Sequence, residues 1–139
     1  MTPLVVTLTI AAGAGGALLR YVLQSAGHRR RDDGRTRGLT PEWRIVVINI
    51  VASFLAGAAF AVLPAAWEPV AIAGFCGGLS TWSTFMLDAH GAWRARRRLR
   101  AVALLAATIG YGLLAAIAGV YVGAILIGGI LVDGMPLGA

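Results

Sequence analysis

Within nine residues of one apolar stretch, the sequence collects side chains that could bind a small ion. Four carry hydroxyls, two are aromatic and one is an acid: Ser80, Thr81, Trp82, Ser83, Thr84, Phe85 and Asp88. An unpaired polar group in hydrocarbon costs several kcal/mol, so a purely structural membrane segment has no reason to collect them. Hydroxyls donate hydrogen bonds to anions, and the edge of an aromatic ring is the positive end of its quadrupole. The cluster therefore suits a small anion better than a cation.

A glycine pair just before this cluster predicts a break in the helix. A discontinuity at Gly77-Gly78 would free backbone carbonyl and amide groups, which at membrane depth must line a cavity or bind an ion. The freed carbonyls could also hold a metal ion. Asn49, in a separate apolar segment, adds an amide that can donate to an anion.

No pattern in the sequence predicts an enzyme. His28 and His90 lie in or near loops, no set of histidine, cysteine and acidic residues has metal-ligand spacing, and no glycine-rich phosphate loop follows a strand. The single cysteine, Cys76, excludes an intrachain disulfide. Its small apolar side chain predicts a buried packing role.

The composition is that of a membrane protein with one all-α domain over residues 1–139. Hydrophobic residues make up 58% of the chain, and the mean hydropathy is +0.79. Four apolar stretches, at about 3–24, 44–63, 70–92 and 101–127, are long enough to cross a hydrocarbon core of roughly 30 Å. Small residues at four-residue spacing predict close helix packing. The Gly128-Gly129 pair predicts the end of the fourth helix.

The arginines predict the topology. All 12 basic residues are arginines, and 11 of them lie in or beside two Arg-rich loops, 28–43 and 94–100, which share one side of a four-span protein. Because basic residues are enriched in cytoplasmic loops, we expect both loops to be cytoplasmic and both termini to be outside. Arg20 lies inside the first span, towards the same side. The net charge of +6 therefore reports topology, and no nucleic-acid partner is expected.

Three motifs resemble those of the small bacterial fluoride channels of the Fluc family, also called CrcB. Residues 74–85 resemble the family's GFCGGLTTFSTF stretch, residues 16–21 its GAxxRY motif, and residues 48–57 its VNxxGSFxxG motif. Together with the length and the four spans, the likeness covers nearly the whole chain except the fourth helix.

The resemblance implies an antiparallel dimer in the bacterial cell membrane, through which cytoplasmic fluoride leaves passively, without ATP or proton coupling. The positions that match the family's anion pathway are Asn49, Thr81, Trp82, Ser83, Thr84 and Phe85. The resemblance also implies a structural sodium ion at the dimer centre, held by backbone carbonyls. By motif position, these carbonyls belong to Gly77 and Ser80.

Several positions depart from the family pattern. Trp82 stands where the family has phenylalanine, Ser80 where it has threonine, Ala52 where it has glycine, and Asp88 where glutamate is usual. An indole is larger than a phenyl ring and adds an N–H donor, so Trp82 would narrow or alter a pathway. Dual-topology members also carry little arginine bias, whereas an antiparallel homodimer of this chain would place 11 arginines on the wrong side in one copy. This bias favours a dimer with an oppositely oriented paralogue.

Two other functions are compatible with the composition. A small four-helix, proton-coupled drug or cation exporter needs a carboxylate inside the membrane, usually early in the chain, and only Asp88 could serve here. A non-transporting scaffold would assemble through its small-residue helix faces.

Overall fold

The computed structural model of the chain describes residues 2–25 and 40–133, and these residues are helical throughout apart from short connections. The elements are α1 (Pro3–Ser25), α2 (Pro41–Val62), a π-helical segment (Pro69–Cys76), α3 (Gly77–Leu79), α4 (Trp82–Arg94) and α5 (Arg98–Asp133). His28 and most of the first Arg-rich loop lie outside the described residues.

Four segments are long and apolar enough to cross a membrane, which confirms the predicted all-α membrane fold. They are Pro3–Ser25, Glu42–Val62, Pro69–Arg94 and Arg98–Gly129. The third combines the π-helical segment, α3 and α4. The described part of the chain contains no strand.

Helices α2 and α5 form the most extensive packing pair, and glycines allow their backbones to touch. A Cβ atom added at Gly57 would overlap the carbonyl oxygen of Ala116, and one added at Gly119 would overlap the carbonyl oxygen of Phe54. A Cβ atom at Gly123 would lie 2.9 Å from the Ala61 Cβ atom. The close packing predicted from small residues at four-residue spacing is confirmed for this pair.

Helix α1 packs against the π-helical segment and α3 in the same way. A Cβ atom at Gly16 would overlap the carbonyl oxygen of Phe75, and one at Gly78 would overlap the carbonyl oxygen of Gly13. Gly74 also lies close to α1, because a Cβ atom there would be 2.7 Å from the carbonyl oxygen of Thr9. The glycines of the third span therefore fix its first half against α1.

The break in the third span lies later than predicted. Gly77 is helical, with φ −64° and ψ −39°, whereas Ser80 and Thr81 are extended. The break was predicted near Gly77-Gly78 and lies three residues past Gly77, because the missing Cβ of Gly78 allows close packing against α1. The chain leaves the helix where a side chain of α2 replaces the lost backbone hydrogen bonds.

The second basic connection is short, and the last helix is long. Arg94 ends α4 and Arg98 begins α5, so residues 95–97 alone connect them where a loop over 94–100 was predicted. Helix α5 has 36 residues and continues through Gly128-Gly129 to Asp133, beyond the predicted end. A glycine inside a helix costs only about 1 kcal/mol, which flanking apolar helix formers can offset.

A small apolar core holds α4 against the α2–α5 pair. Phe85 of α4 is 1% exposed and packs with Val46 of α2 and Leu104 of α5. Burying a side chain of this size stabilises by about 1.5–3 kcal/mol. This contact fixes α4 immediately after the break, so the residues of the break have a defined position relative to α2.

Candidate functional site

The candidate site is built around the two extended residues between α3 and α4. Ser80 has φ −74° and ψ 157°, and Thr81 has φ −147° and ψ 118°. The Ser80 N–H still donates to the Cys76 carbonyl at 2.9 Å, and the helical hydrogen-bond ladder ends there. The Thr81 N–H, the Gly77 carbonyl that would have accepted from it, and the Ser80 carbonyl must find partners elsewhere in the protein.

Asn49 of α2 supplies two of these partners. Its Oδ1 accepts a hydrogen bond from the Thr81 N–H at 2.9 Å, and its Nδ2 donates to the Thr81 carbonyl at 3.2 Å. Both residues are 8% exposed. One side chain therefore pairs with both backbone groups of a buried residue and replaces the helical hydrogen bond of the Thr81 N–H. The second N–H of the Asn49 amide is not used in this pair.

The same arrangement leaves the Gly77 carbonyl without a helical partner. In a continuous helix it would accept from the Thr81 N–H, which here donates to Asn49. In the described part of the chain, its hydrogen bond comes from the Ser80 hydroxyl and is long, at 3.4 Å. The Ser80 carbonyl accepts a hydrogen bond from Nη1 of Arg20 at 2.9 Å and keeps its second lone pair. Arg20, which lies inside the first span, thus connects α1 to the break.

An open groove of about 400 Å³ runs along this site between α2, α4 and α5. Five polar residues contribute to its lining: Asn49, Ser53, Ser80, Thr81 and Thr108. Apolar surface of α5 and the ring of Trp82, which is 61% exposed, complete the lining. A buried glycine of α5, Gly112, also lines the groove, and a Cβ atom there would lie 3.5 Å from the Ser53 hydroxyl.

Thr108 lines the groove with a hydroxyl that lacks a hydrogen-bond partner in the described part of the chain. Its Oγ1 atom is buried. A buried hydroxyl without a partner costs about 1–3 kcal/mol, so the site gains from any group that pairs with it. Neither Thr108 nor Ser53 belongs to the site predicted from the sequence. The available signal was a hydroxyl residue inside an otherwise apolar helix, which is weak because such hydroxyls often bond to their own helix.

The other predicted pathway residues lie around the groove rather than along it. Phe85 is in the apolar core, and its ring contacts that of Trp82 with centroids 5.5 Å apart and planes tilted by 54°. Thr84 accepts a hydrogen bond from the Thr81 hydroxyl at 3.2 Å. Ser83 is exposed on the surface of the chain. Their role in an anion pathway remains a prediction.

A second, smaller groove of about 260 Å³ lies at the arginine-rich end and is lined by two acids. Glu42, Asp88, Arg97 and Arg100 contribute to its lining. Glu42 and Arg100 form an ion pair at 3.2 Å, which joins the start of α2 to the start of α5. Asp88 thus lies beside arginines and away from the break.

The chemistry of the larger groove is that of hydrogen-bond donors. Hydroxyls and an amide converge on it, and no carboxylate of the described residues contributes to its lining. Such a groove can replace part of the hydration shell of a small anion. A proton-coupled exporter would need a carboxylate here, and Asp88, the acid considered for that role, lines the other groove.

Comparison with known proteins agrees with the resemblance read from the three motifs. The family model described as "CrcB-like protein, Camphor Resistance (CrcB)" matches residues 7–120. The chain is 36% identical over 113 residues to the fluoride-specific ion channel FluC 1 of Thermobifida fusca, covering 81% of this chain and 89% of the relative. It is 35% identical over 118 residues to FluC 1 of Symbiobacterium thermophilum, covering 81% and 91%. It is 31% identical over 130 residues to FluC 2 of Nocardia farcinica, covering 85% and 81%.

These relatives are named as ion channels, which supports the interpretation that the chain is not an enzyme. The family match covers all three motifs and most of the four spans. The chain therefore belongs to the CrcB family.

Proposed function

We propose that this chain is a subunit of a fluoride-specific ion channel that lets cytoplasmic fluoride leave the cell passively and so reduces its toxicity. The observation that carries the proposal is the donor-lined groove at the helix break of a CrcB-family chain. The relatives' names supply the choice of fluoride, since the groove chemistry alone would suit any small anion.

In this proposal the groove replaces the water around a dehydrated fluoride ion. The free N–H of Asn49 and the hydroxyls of Ser53 and Thr108 donate to the ion, and the Thr81 hydroxyl turns from Thr84 to the ion. The rings of Trp82 and Phe85 present their positive edges nearby. Ser83 and Thr84 extend the hydroxyl run along the same helix. Several moderate contacts, rather than one strong one, would allow the ion to enter and to leave.

We also propose that a structural sodium ion sits at the break, held by the carbonyls of Gly77 and Ser80. The bonding of these residues fits such an ion, because the Gly77 carbonyl has only a long contact of 3.4 Å and the Ser80 carbonyl keeps one lone pair. Two carbonyls would be part of a shell that a second chain completes. When bound, the ion would coordinate carbonyl oxygens that no longer accept helical hydrogen bonds.

The assembly that we propose is an antiparallel dimer in the bacterial cell membrane. The Arg-rich loops would be cytoplasmic and both termini of this chain outside, in accordance with the positive-inside rule. Because 11 of 12 arginines are on one side, an oppositely oriented paralogue fits as the second chain better than a second copy does. The helix faces that this chain alone leaves exposed would contact the partner and lipid.

A fluoride-electrode measurement on liposomes tests this function. Vesicles loaded with potassium fluoride should release fluoride when valinomycin permits charge balance, with no proton gradient and no ATP. Vesicles loaded with potassium chloride should retain chloride under the same conditions. Release that requires a proton gradient, and that is lost in Asp88→Asn, would instead support the proton-coupled exporter.

A second experiment separates the function from the choice of partner. The chain is reconstituted alone and together with a CrcB-family paralogue from the same genome. If the two chains together release fluoride and this chain alone does not, the unequal dimer is supported. Release at channel rates by this chain alone would refute an obligate partner and leave the channel function intact.

A further inference from the structure

The connection between α4 and α5 concentrates positive charge at one end of the molecule. We call residues 93–99 the arginine turn; it contains Arg94, Arg96, Arg97 and Arg98, all of them exposed. It joins two segments that span the membrane, so it lies where the bilayer meets water. Only residues 95–97 separate the two helices, and the charges therefore cannot spread along a long loop.

The acids near this turn balance only part of its positive charge. Glu42 and Asp88 share their groove with Arg97 and with Arg100, and Arg100 forms the ion pair with Glu42. Two acids therefore face two arginines there. Among the described residues, no carboxylate lies within ion-pair distance of Arg94, Arg96 or Arg98. The arginine turn thus keeps three positive charges that no acid of the described chain neutralises.

Aromatic and apolar groups lie among these charges. The guanidinium of Arg98 lies 5.4 Å from the centroid of the Trp93 ring, within the range of a cation–π contact. Trp93 is 51% exposed and Leu99 is 85% exposed. Arg96 has φ 59°, a left-handed conformation that is uncommon for residues other than glycine and that forms the tight reversal between the helices. Cations, an indole and a leucine thus occupy one short turn.

We propose that the arginine turn binds the phosphate of an anionic phospholipid. Guanidinium groups pair with phosphate through two parallel hydrogen bonds, and tryptophan prefers the headgroup level of a bilayer. Exposed Leu99 contacts the acyl chains just below. Clusters of basic residues directly beside a transmembrane helix are typical sites for anionic lipids. The site is distinct from the donor-lined groove, because none of these residues contributes to the lining of that groove.

Lipid retention by the purified protein tests this site. The probes are phosphatidylglycerol and phosphatidylcholine with identical acyl chains, added to protein in a neutral detergent and counted by native mass spectrometry. The wild-type chain should retain phosphatidylglycerol preferentially. In the triple variant Arg94→Gln, Arg96→Gln, Arg98→Gln, this preference should fall by about fivefold for each arginine removed, since a basic residue near an anionic surface contributes that much. Arg96→Gln alone should show one such step.

A matched control removes the same number of charges elsewhere. The triple variant Arg29→Gln, Arg30→Gln, Arg31→Gln changes the net charge equally in the first connector. It should keep the preference for phosphatidylglycerol within about twofold of wild type, well below the fivefold step expected for one arginine of the turn. An unchanged preference in the arginine-turn variants would overturn the proposal, as would an equal loss in the control. Fluoride release by the arginine-turn variant in phosphatidylcholine liposomes should match that of the wild-type chain. The lipid site and the channel function are therefore tested independently.

Discussion

Replacing Asn49 with alanine should destabilise the protein through the helix break rather than through the apolar core. The change removes the acceptor of the Thr81 N–H and the donor to the Thr81 carbonyl, which lie at 2.9 and 3.2 Å. Asn49 is the hydrogen-bond partner of the Thr81 N–H in the described part of the chain, whereas the Thr81 carbonyl, at the N-cap of α4, also accepts within that helix. The extended break would therefore lose the interaction that replaces its helical hydrogen bonds.

The magnitude follows from the burial of both partners. Leaving one buried donor or acceptor unpaired costs about 1–3 kcal/mol. Thr81 is 8% exposed and lies on the groove, so water can reach it in part. We therefore expect a loss of about 1–3 kcal/mol, mainly from the unpaired Thr81 N–H. At roughly 4 °C per kcal/mol for a chain of this length, the unfolding midpoint should fall by roughly 4–12 °C.

The assay is thermal unfolding in detergent, with Ser53→Ala as the matched control. Ser53 lies one turn further along α2 and lines the same groove, yet it has no hydrogen bond to the break. Its replacement should change the midpoint by less than about 2 °C, in line with a loss of under 0.5 kcal/mol for a substitution without a structural partner. An Asn49→Ala protein with the midpoint of the Ser53→Ala control would refute the role of Asn49 as the partner of the break.

Three further predictions use the same unfolding assay or the fluoride assay. Gly119→Ala should destabilise by about 1–3 kcal/mol because its Cβ would overlap the Phe54 carbonyl, whereas Gly110→Ala, with open space around it, should be neutral or gain up to about 1 kcal/mol. Thr108→Val should leave stability unchanged or improved, since it removes an unpaired buried hydroxyl, and should slow fluoride release. Glu42→Gln breaks a half-exposed ion pair and should cost no more than about 1 kcal/mol, with the difference disappearing at high salt.

Sequence patterns were sufficient for the features that depend on local composition. Four apolar stretches of the right length predicted the four spans, and small residues at four-residue spacing predicted where backbones touch. Both signals can be recognised within the sequence of a single helix. The motif likeness also led to the family that the comparison identifies.

The position of the break could not be predicted, because it depends on a contact across the fold. Gly77-Gly78 has the composition of a helix interruption, but Gly78 is used for packing against Gly13. The residue that determines the break is Asn49, which is 32 positions away from Thr81 in the chain. The same limit applies to Thr108, whose place in the groove depends on how α5 is rotated against α2. Short-range periodicity contains no information about either relation.

The most direct test of the central claim is selective, uncoupled fluoride release. Liposomes that hold this chain with the proposed paralogous partner are loaded with equal fluoride and chloride. Both anions are followed with electrodes after valinomycin is added, at equal pH on both sides. We expect rapid loss of fluoride with chloride retained, and a slower loss of fluoride with the Thr108→Val chain. Equal release of the two anions, or no release of fluoride without a proton gradient, would contradict it.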